Sequence, residues 1–323
     1  MSEFVDTDSP IEVDSVYFGG GTPSLMTASQ LGKLLVTIRQ NFIVDDLSEI
    51  TLECNPSSQG LDDFLKSAAC AGVNRISLGM QSSLDKERKK LGRAGDRYTV
   101  EKAVESTRSA GIENISLDVM IGVPESTVHS LEKTLEFAIQ SGVPHISAYM
   151  LKIEEGTFYH KNYDRLSLPD EDETADMYLF MSEYLKAKGF THYEISNFCK
   201  DNLYSVHNMK YWDGTPYIGF GPAAHSFYNG KRFYFPRDIN GFINGEKAVY
   251  DGEGGDEEEK ILLGLRTYKG IFLGDKNSSF IKKAGFFASK GFGTITEDNR
   301  FVLTDQGYLL SNSIISELLS VYN

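Results

Sequence analysis

Four times along this chain a glycine is followed by an apolar residue and then a short apolar strand. The segments are Gly72-Val73-Asn74-Arg75-Ile76-Ser77-Leu78, Gly111-Ile112-Glu113-Asn114-Ile115-Ser116-Leu117, Gly142-Val143-Pro144-His145-Ile146-Ser147-Ala148 and Gly189-Phe190-Thr191-His192-Tyr193-Glu194-Ile195. Each reads as a helix-to-strand joint: glycine takes the left-handed turn that closes a helix, and the apolar residue after it supplies the accompanying hydrophobic contact. Amphipathic, helix-length runs at Tyr98–Ala110, Thr127–Gln140 and Glu171–Lys188 lie between the joints, and Thr27 with Gln30 forms a capping box that opens an earlier helix.

Strands separated by helices of this length run parallel with right-handed crossovers, which leaves a TIM-like barrel, an open partial barrel or a doubly wound sheet. Strand starts fall at Val13, Ile50, Arg75, Ile115, His145 and near Thr191. Six are too few to close an eight-stranded barrel, so the expected fold is an α/β open partial (β/α) barrel over residues 1–196. Residues 197–255 read as a connecting segment. The composition turns to glycine and acid over Asp251–Glu259, which predicts a solvated loop. Residues 256–323 then offer a helix at Glu257–Leu265, a hairpin at Thr294–Leu303 turning on Asp298-Asn299, and a helix at Asp305–Leu319, the order of a smaller winged-helix-like α+β domain.

Charge narrows the function classes. Lys+Arg number 32 against 46 Asp+Glu, a formal charge of −14, so no basic face for nucleic acid is expected and the terminal domain reads as a packing or lid element. There is no apolar run of membrane-spanning length and no basic-then-apolar leader in the first ten residues. The three cysteines, Cys54, Cys70 and Cys199, are odd in number and far apart, which argues against a disulfide framework. A cytoplasmic protein is expected.

In parallel α/β folds, chemistry gathers where strands end and feed their loops. The first strand runs into Gly19-Gly20-Gly21-Thr22-Pro23, the second ends at Glu53, the third at Gly79-Met80-Gln81, the fourth at Asp118, and the fifth near Tyr149 and Lys152. Consecutive glycines let a charged or zwitterionic ligand approach the backbone. Neither phosphate-binding glycine motif is present in its required context, so nucleoside triphosphates and dinucleotides are disfavoured. Singly, each residue also reads as a turn, a loop cap or a surface salt bridge.

Together the segments Tyr17-Phe18-Gly19-Gly20-Gly21-Thr22-Pro23-Ser24, Leu52-Glu53-Cys54-Asn55-Pro56, Ser77-Leu78-Gly79-Met80-Gln81-Ser82 and Asp118–Pro124 resemble the coproporphyrinogen-oxidase and heme-chaperone group of radical S-adenosylmethionine (SAM) proteins, from about Val13 to the C-terminus. The resemblance implies that Gly20, Gly21, Thr22, Glu53, Gln81, Arg93 and Asp118 hold SAM, with Lys152 at a further matching position of different residue type. Arg93 and backbone groups suit the ammonium and carboxylate of the methionyl part, and the carboxylates suit ribose hydroxyls.

His207-Asn208-Met209-Lys210-Tyr211-Trp212 resembles the HNxxYW signature of the heme-chaperone branch, which implies heme bound through His207, flanked by Tyr211 and Trp212. As a bare sequence it also reads, less strongly, as a histidine fixing a loop by hydrogen bonds. Gly219–Ser226 also resembles the group and puts His225 near the expected SAM pocket.

One departure stands beside the match. The group carries a CxxxCxxC segment upstream of the glycine turn for a [4Fe–4S] cluster; here eighteen residues precede Gly19 and none is cysteine. The first βα unit therefore reads as missing, through truncation, as a natural fragment, or in a cluster-free heme-binding relative. Truncation is favoured because removing an inner strand bares a sheet edge. The resemblance implies a heme chaperone that binds heme and SAM and hands heme to apo-proteins such as respiratory enzymes, meeting a membrane only through those partners. The alternative is oxygen-independent coproporphyrinogen III oxidase; a hydrolase or aldolase using Glu53 and Asp118 has no accompanying motif.

Overall fold

The structure is a computed structural model that describes residues 10–322. These divide into two compact units, Val13–Gln40 with Val44–Tyr204, and Ser205 onward together with 41–43 and 10–12.

The first unit is built on β1 (Ile11–Phe18), α1 (Ala28–Asn41), β2 (Phe42–Cys54), α2 (Leu61–Ala71), β3 (Arg75–Gln81), α3 (Asp85–Lys90), α4 (Arg97–Ser109), β4 (Asn114–Ile121), α5 (Val128–Gln140), β5 (His145–Met150), α6 (Phe158–Lys161), α7 (Glu171–Ala187), β6 (Thr191–Glu194) and β7 (Asn197–Cys199). The glycine joints close helices as expected. Gly72, Gly111, Gly142 and Gly189 all have positive φ, and the amides of Val73, Ile112 and Phe190 reach back to the carbonyls of Ala68, Thr107 and Leu185. The capping box is present too, with Thr27 N donating to Gln30 Oε1 at 2.8 Å and Gln30 N to Thr27 Oγ1 at 3.2 Å.

The strands form one seven-stranded sheet in the order β1-β2-β3-β4-β5-β7-β6, an open, curled half-barrel with β2 to β5 paired in parallel. One expectation fails here. The strand beginning near Thr191 does not join the parallel set directly: β7 intervenes, antiparallel to both β5 and β6. Only Ile195 and Ser196 separate β6 from β7, which is long enough for a hairpin and far too short for a crossover.

Period-2 alternation assigns each strand two faces. Ile50, Leu52 and Cys54, Ile76, Leu78 and Met80, Ile115, Leu117 and Val119, and Ile146 and Ala148 are buried on the face that the helices cover, where α4 packs on β3 and both α5 and α7 pack on β4. Each fully buried Leu or Ile there contributes about 1.5–3 kcal/mol. The register aligns the other set on the inner face: Thr51 with Arg75, Glu53 with Ser77, Ser77 with Ser116, Ser116 with His145, and Asp118 with Ser147. That face is polar although it is largely buried. A buried polar surface needs partners within the protein or a ligand to supply them.

The second unit contains α8 (Val206–Asp213), β8 (His225–Tyr228), β9 (Lys231–Tyr234), α9 (Ile239–Ile243), β10 (Val249–Glu253), α10 (Glu257–Gly264), β11 (Ile271–Phe272), α11 (Ser278–Ser289), β12 (Gly293–Ile295), β13 (Arg300–Leu303), α12 (Asp305–Leu309) and α13 (Ser311–Leu319). β8, β9 and β10 form an antiparallel meander; β11, β13 and β12 form a small sheet beside the last helices. The hairpin turns at Asn299, whose φ is 60°. Two local expectations are corrected. The acidic stretch is not a loop throughout, since Asp251–Glu253 ends β10 and Asp256 caps α10 by accepting from Glu259 N. The terminal helix is two helices, broken at Leu310. Among the described residues no helix is long and apolar enough to cross a membrane.

Candidate functional site

The glycine turn follows β1, with φ of 81° at Gly20 and 64° at Gly21, a conformation that side chains resist. The tightest position is the preceding one. A Cβ on Gly19 would lie 2.6 Å from the Tyr17 ring and 3.0 Å from Glu53 Oε1, so only glycine lets these two side chains close over the turn. There Tyr17 Oη donates to Glu53 Oε1 at 2.8 Å and Gly20 N donates to Glu53 Oε2 at 3.2 Å. Burial, then the Glu53 charge, raises the Tyr17 phenol, which therefore stays a donor. Thr22 precedes a short 3-10 turn and lines an open groove of about 670 Å3 with Ser24, Asn55, Ser57 and Ala94, a volume in the range of small-molecule sites.

Asp118 lies on β4, facing inward. Ser77 Oγ donates to its Oδ1 at 2.9 Å. Burial pushes the carboxyl up to about 6, and Glu53 pushes the same way, against hydrogen bonds from Ser77 and Ser147 and the charge of Arg75. It therefore titrates close to physiological pH, which is a mark of functional sites.

At the end of β3 the register breaks between Leu78 and Gln81, and Gln81 has a φ of 69°, unusual for a residue with a side chain. The Gln81 amide and the Arg93 guanidinium converge on Gly79, at 3.3 Å and 3.7 Å from where a Cβ would stand. Arg93 is half-buried and has no carboxylate partner among the described residues. Its loop is held by a residue the sequence did not single out. Arg88, 1% exposed, donates to the carbonyls of Met80 at 2.5 Å and Ala94 at 3.0 Å, and Ser57 Oγ also donates to Ala94 O at 2.7 Å. In sequence Arg88 looks like one more base in Lys86–Lys90; its burial is what separates it from them.

The structure thus joins Glu53 to Gly20, brings Asp118 within electrostatic reach of Glu53, and groups Gln81 with Arg93. Lys152 is not joined to them. It follows β5 on an exposed segment, and its ammonium pairs with Glu154 at 2.9 Å.

In the second unit His207 lies in the first turn of α8, capped by Ser205. Its Nε2 is 2.9 Å from Tyr211 Oη, the i, i+4 neighbour on the same helix face, and the Tyr211 ring meets Tyr217 edge-on at 4.6 Å. Burial raises the Tyr211 phenol, so its hydroxyl keeps its proton. A neutral imidazole is the form that binds a metal. His225 lies at the start of β8 and stacks on Tyr234 with centroids 5.2 Å apart.

The cysteines do not converge. Cys54 and Cys199 are buried in strands and Cys70 is exposed on α2. Burial, with Glu53 beside it, pushes the Cys54 thiol up to about 12, away from the thiolate that binds iron. Among the described residues no three His, Cys, Asp or Glu groups are placed to hold a metal. These residues do not fit an iron–sulfur cluster.

Comparisons with known proteins bear on the family and the fold. The Radical SAM superfamily model matches residues 4–138. The heme chaperone HemW of Lactococcus lactis is 33% identical over 94% of this chain and 84% of its own length, and that of Bacillus subtilis is 32% identical over 95% and 86%. The structure of the Escherichia coli coproporphyrinogen III oxidase HemN, a radical SAM enzyme, superposes with a TM-score of 0.77 at 18% identity, over 95% of this chain and 78% of that one, a likeness of fold. The chain belongs to the HemW heme-chaperone family of the radical SAM superfamily.

Proposed function

We propose that this protein is a cytoplasmic heme chaperone: it binds heme through His207, binds SAM on the rim of its half-barrel, and delivers heme to apo-proteins, respiratory enzymes among them. The observation that carries the heme half is the placement of His207, whose Nε2 is 2.9 Å from Tyr211 Oη within the family's His-Asn-x-x-Tyr-Trp segment. Heme iron would displace the tyrosine hydroxyl at Nε2, and the Tyr211 and Trp212 rings offer apolar surface to the macrocycle.

For SAM, the support is chemical fit. Arg93 meets the carboxylate of the methionyl group, Gln81 and the Gly20–Gly21 backbone its polar edge, and Glu53 and Asp118 the ribose hydroxyls. Bound SAM supplies a sulfonium and an adenosyl group. No step through an iron–sulfur cluster is assigned, because the cysteines present do not assemble a ligand set. The same fact leaves the coproporphyrinogen decarboxylation reading without a carrier in these residues. Lys152 remains a weaker SAM candidate, since it would have to leave Glu154.

Hemin titration tests the heme half. A Soret shift in the wild type that is lost in His207→Ala, with circular dichroism unchanged, is the expected result. An identical Soret shift in the variant removes His207 as the ligand.

A further inference from the structure

Lys86, Lys89 and Lys90 of α3 are exposed, whereas Arg88 between them is 1% exposed. Its guanidinium spends two donors on backbone carbonyls, Nη1 on Met80 O at 2.5 Å and Nη2 on Ala94 O at 3.0 Å. The third, Nε, is buried with no hydrogen-bond partner, and no carboxylate pairs with Arg88 among the described residues. Burial, then the charge of Arg93, lowers its pKa, yet a guanidinium keeps its proton. A buried charge without an opposite charge is costly, and an apolar side chain of similar volume would fill the same space without that cost. Stability alone does not account for Arg88.

The two carbonyls that Arg88 joins bracket two of the proposed SAM contacts. Met80 immediately precedes Gln81, and Ala94 immediately follows Arg93. The backbone itself holds this loop only as far as Arg93, where the glycine cap of α3 places Arg93 N 2.9 Å from Arg88 O. Ala94 makes no backbone–backbone hydrogen bond, so side chains hold it. Its carbonyl accepts a second time, from Ser57 Oγ at 2.7 Å, and Ser57 belongs to the loop that follows Glu53, with its own amide donating to Asn55 Oδ1 at 3.0 Å. Ala94 O is therefore where the loops after β2 and β3 are tied together, Arg88 on one side and Ser57 on the other.

We propose that Arg88 is a positioning residue that sets the span of the SAM site: by joining Met80 O to Ala94 O it holds Gln81 and Arg93, at the methionyl end, at a fixed distance from Glu53 at the ribose end. This rests on reading the rim as the SAM site. Arg88 touches no ligand itself; it prepays the ordering of a loop that a ligand would otherwise have to order on binding. Its effect then depends on whether a ligand engages both ends. SAM does. 5′-Methylthioadenosine keeps the adenosine but lacks the amino-acid portion, so it engages the ribose end alone. Loss of Arg88 should separate the two ligands, whereas a purely structural role would weaken both alike.

Two measurements test it on the full chain. Calorimetric titration with SAM and with 5′-methylthioadenosine compares wild type, Arg88→Met, Arg88→Lys and Ser57→Ala. Arg88→Met should weaken SAM binding about tenfold and 5′-methylthioadenosine binding less than about twofold; Arg88→Lys, which keeps the charge and can reach one of the two carbonyls, should lie between it and wild type; Ser57→Ala should weaken SAM about two- to threefold. Equal losses for the two ligands, or no loss of SAM affinity in Arg88→Met, contradict the positioning role. Hydrogen exchange of the ligand-free proteins, read by mass spectrometry, is the second measurement: residues 79–96 should exchange faster in Arg88→Met while β4 and α5 keep their protection. Unchanged exchange over 79–96 overturns the tie, whatever SAM does. Loss of protection throughout means that Arg88→Met has unfolded, and the split between the two ligands in Arg88→Lys and Ser57→Ala then decides. A wild type that binds neither ligand refutes the reading of the rim itself, while the exchange measurement still decides whether Arg88 holds the loop.

Discussion

The two faces of the half-barrel strands are made from alternate residues of the same segments, yet they follow opposite rules. On the helix-covered face Leu52, Ile76, Leu78, Ile115, Leu117 and Ile146 are wholly buried and apolar. One residue away, the inner face carries Glu53, Arg75, Ser77, Ser116, Asp118, His145 and Ser147, several equally buried, and joins them by hydrogen bonds and charge. Burial alone therefore does not mark the core here. The outer face holds the unit together through removal of apolar surface, while the inner face, where we propose the SAM site, retains polar groups at a cost in stability.

That contrast yields graded expectations. The largest effect belongs to the outer face: Leu117→Ala should lower unfolding free energy by about 3 kcal/mol, seen as a denaturant midpoint shift, with SAM affinity of the folded protein unchanged. A buried acid on the β6–β7 turn should behave in the opposite way. Glu194 is 1% exposed and burial pushes its carboxyl up to about 7, against hydrogen bonds from Ser196 and Asn197. Because the folded state holds this proton more tightly than the unfolded chain, stability falls as pH rises from about 4.5 to 7. Glu194→Gln should add on the order of 2 kcal/mol at pH 8, add little at pH 4.5, and flatten the profile between. Next comes Gly19→Ala, whose added methyl meets the Tyr17 ring and Glu53; SAM affinity should drop about tenfold, or about 1.4 kcal/mol. Smallest is Lys152→Ala, which removes an exposed ion pair and should change SAM affinity less than twofold. A tenfold loss there would extend the site to the segment after β5.

Much of this was legible in the sequence. The helix-to-strand joints announced themselves because glycine at a helix end is a local, conformational demand, and the strand ends near Glu53 and at Gln81 followed from them; the end expected at Asp118 did not hold, since β4 runs on to Ile121 and Asp118 lies inside it. The repeated Ile-Ser in Ile76-Ser77, Ile115-Ser116 and Ile146-Ser147 also signals an inner hydroxyl row, but only once register aligns the strands. What escaped was non-local or short. β7 has three residues, too few to show a period, so the hairpin after Glu194 read as a single parallel strand. Arg88 carries a charge that usually lies at the surface, and only the fold shows its guanidinium inside, spanning two carbonyls. The break at Leu310 leaves a pattern that continues through it as one amphipathic run.

The central claim is that the polar inner face ends in a SAM site, and equilibrium binding of SAM to wild type and Glu53→Ala tests it most directly. Glu53 is the meeting point of the Tyr17 hydroxyl and the Gly20 amide, so its loss should weaken SAM binding at least tenfold while the unfolding midpoint moves little. Equal affinity in the two proteins would contradict the account.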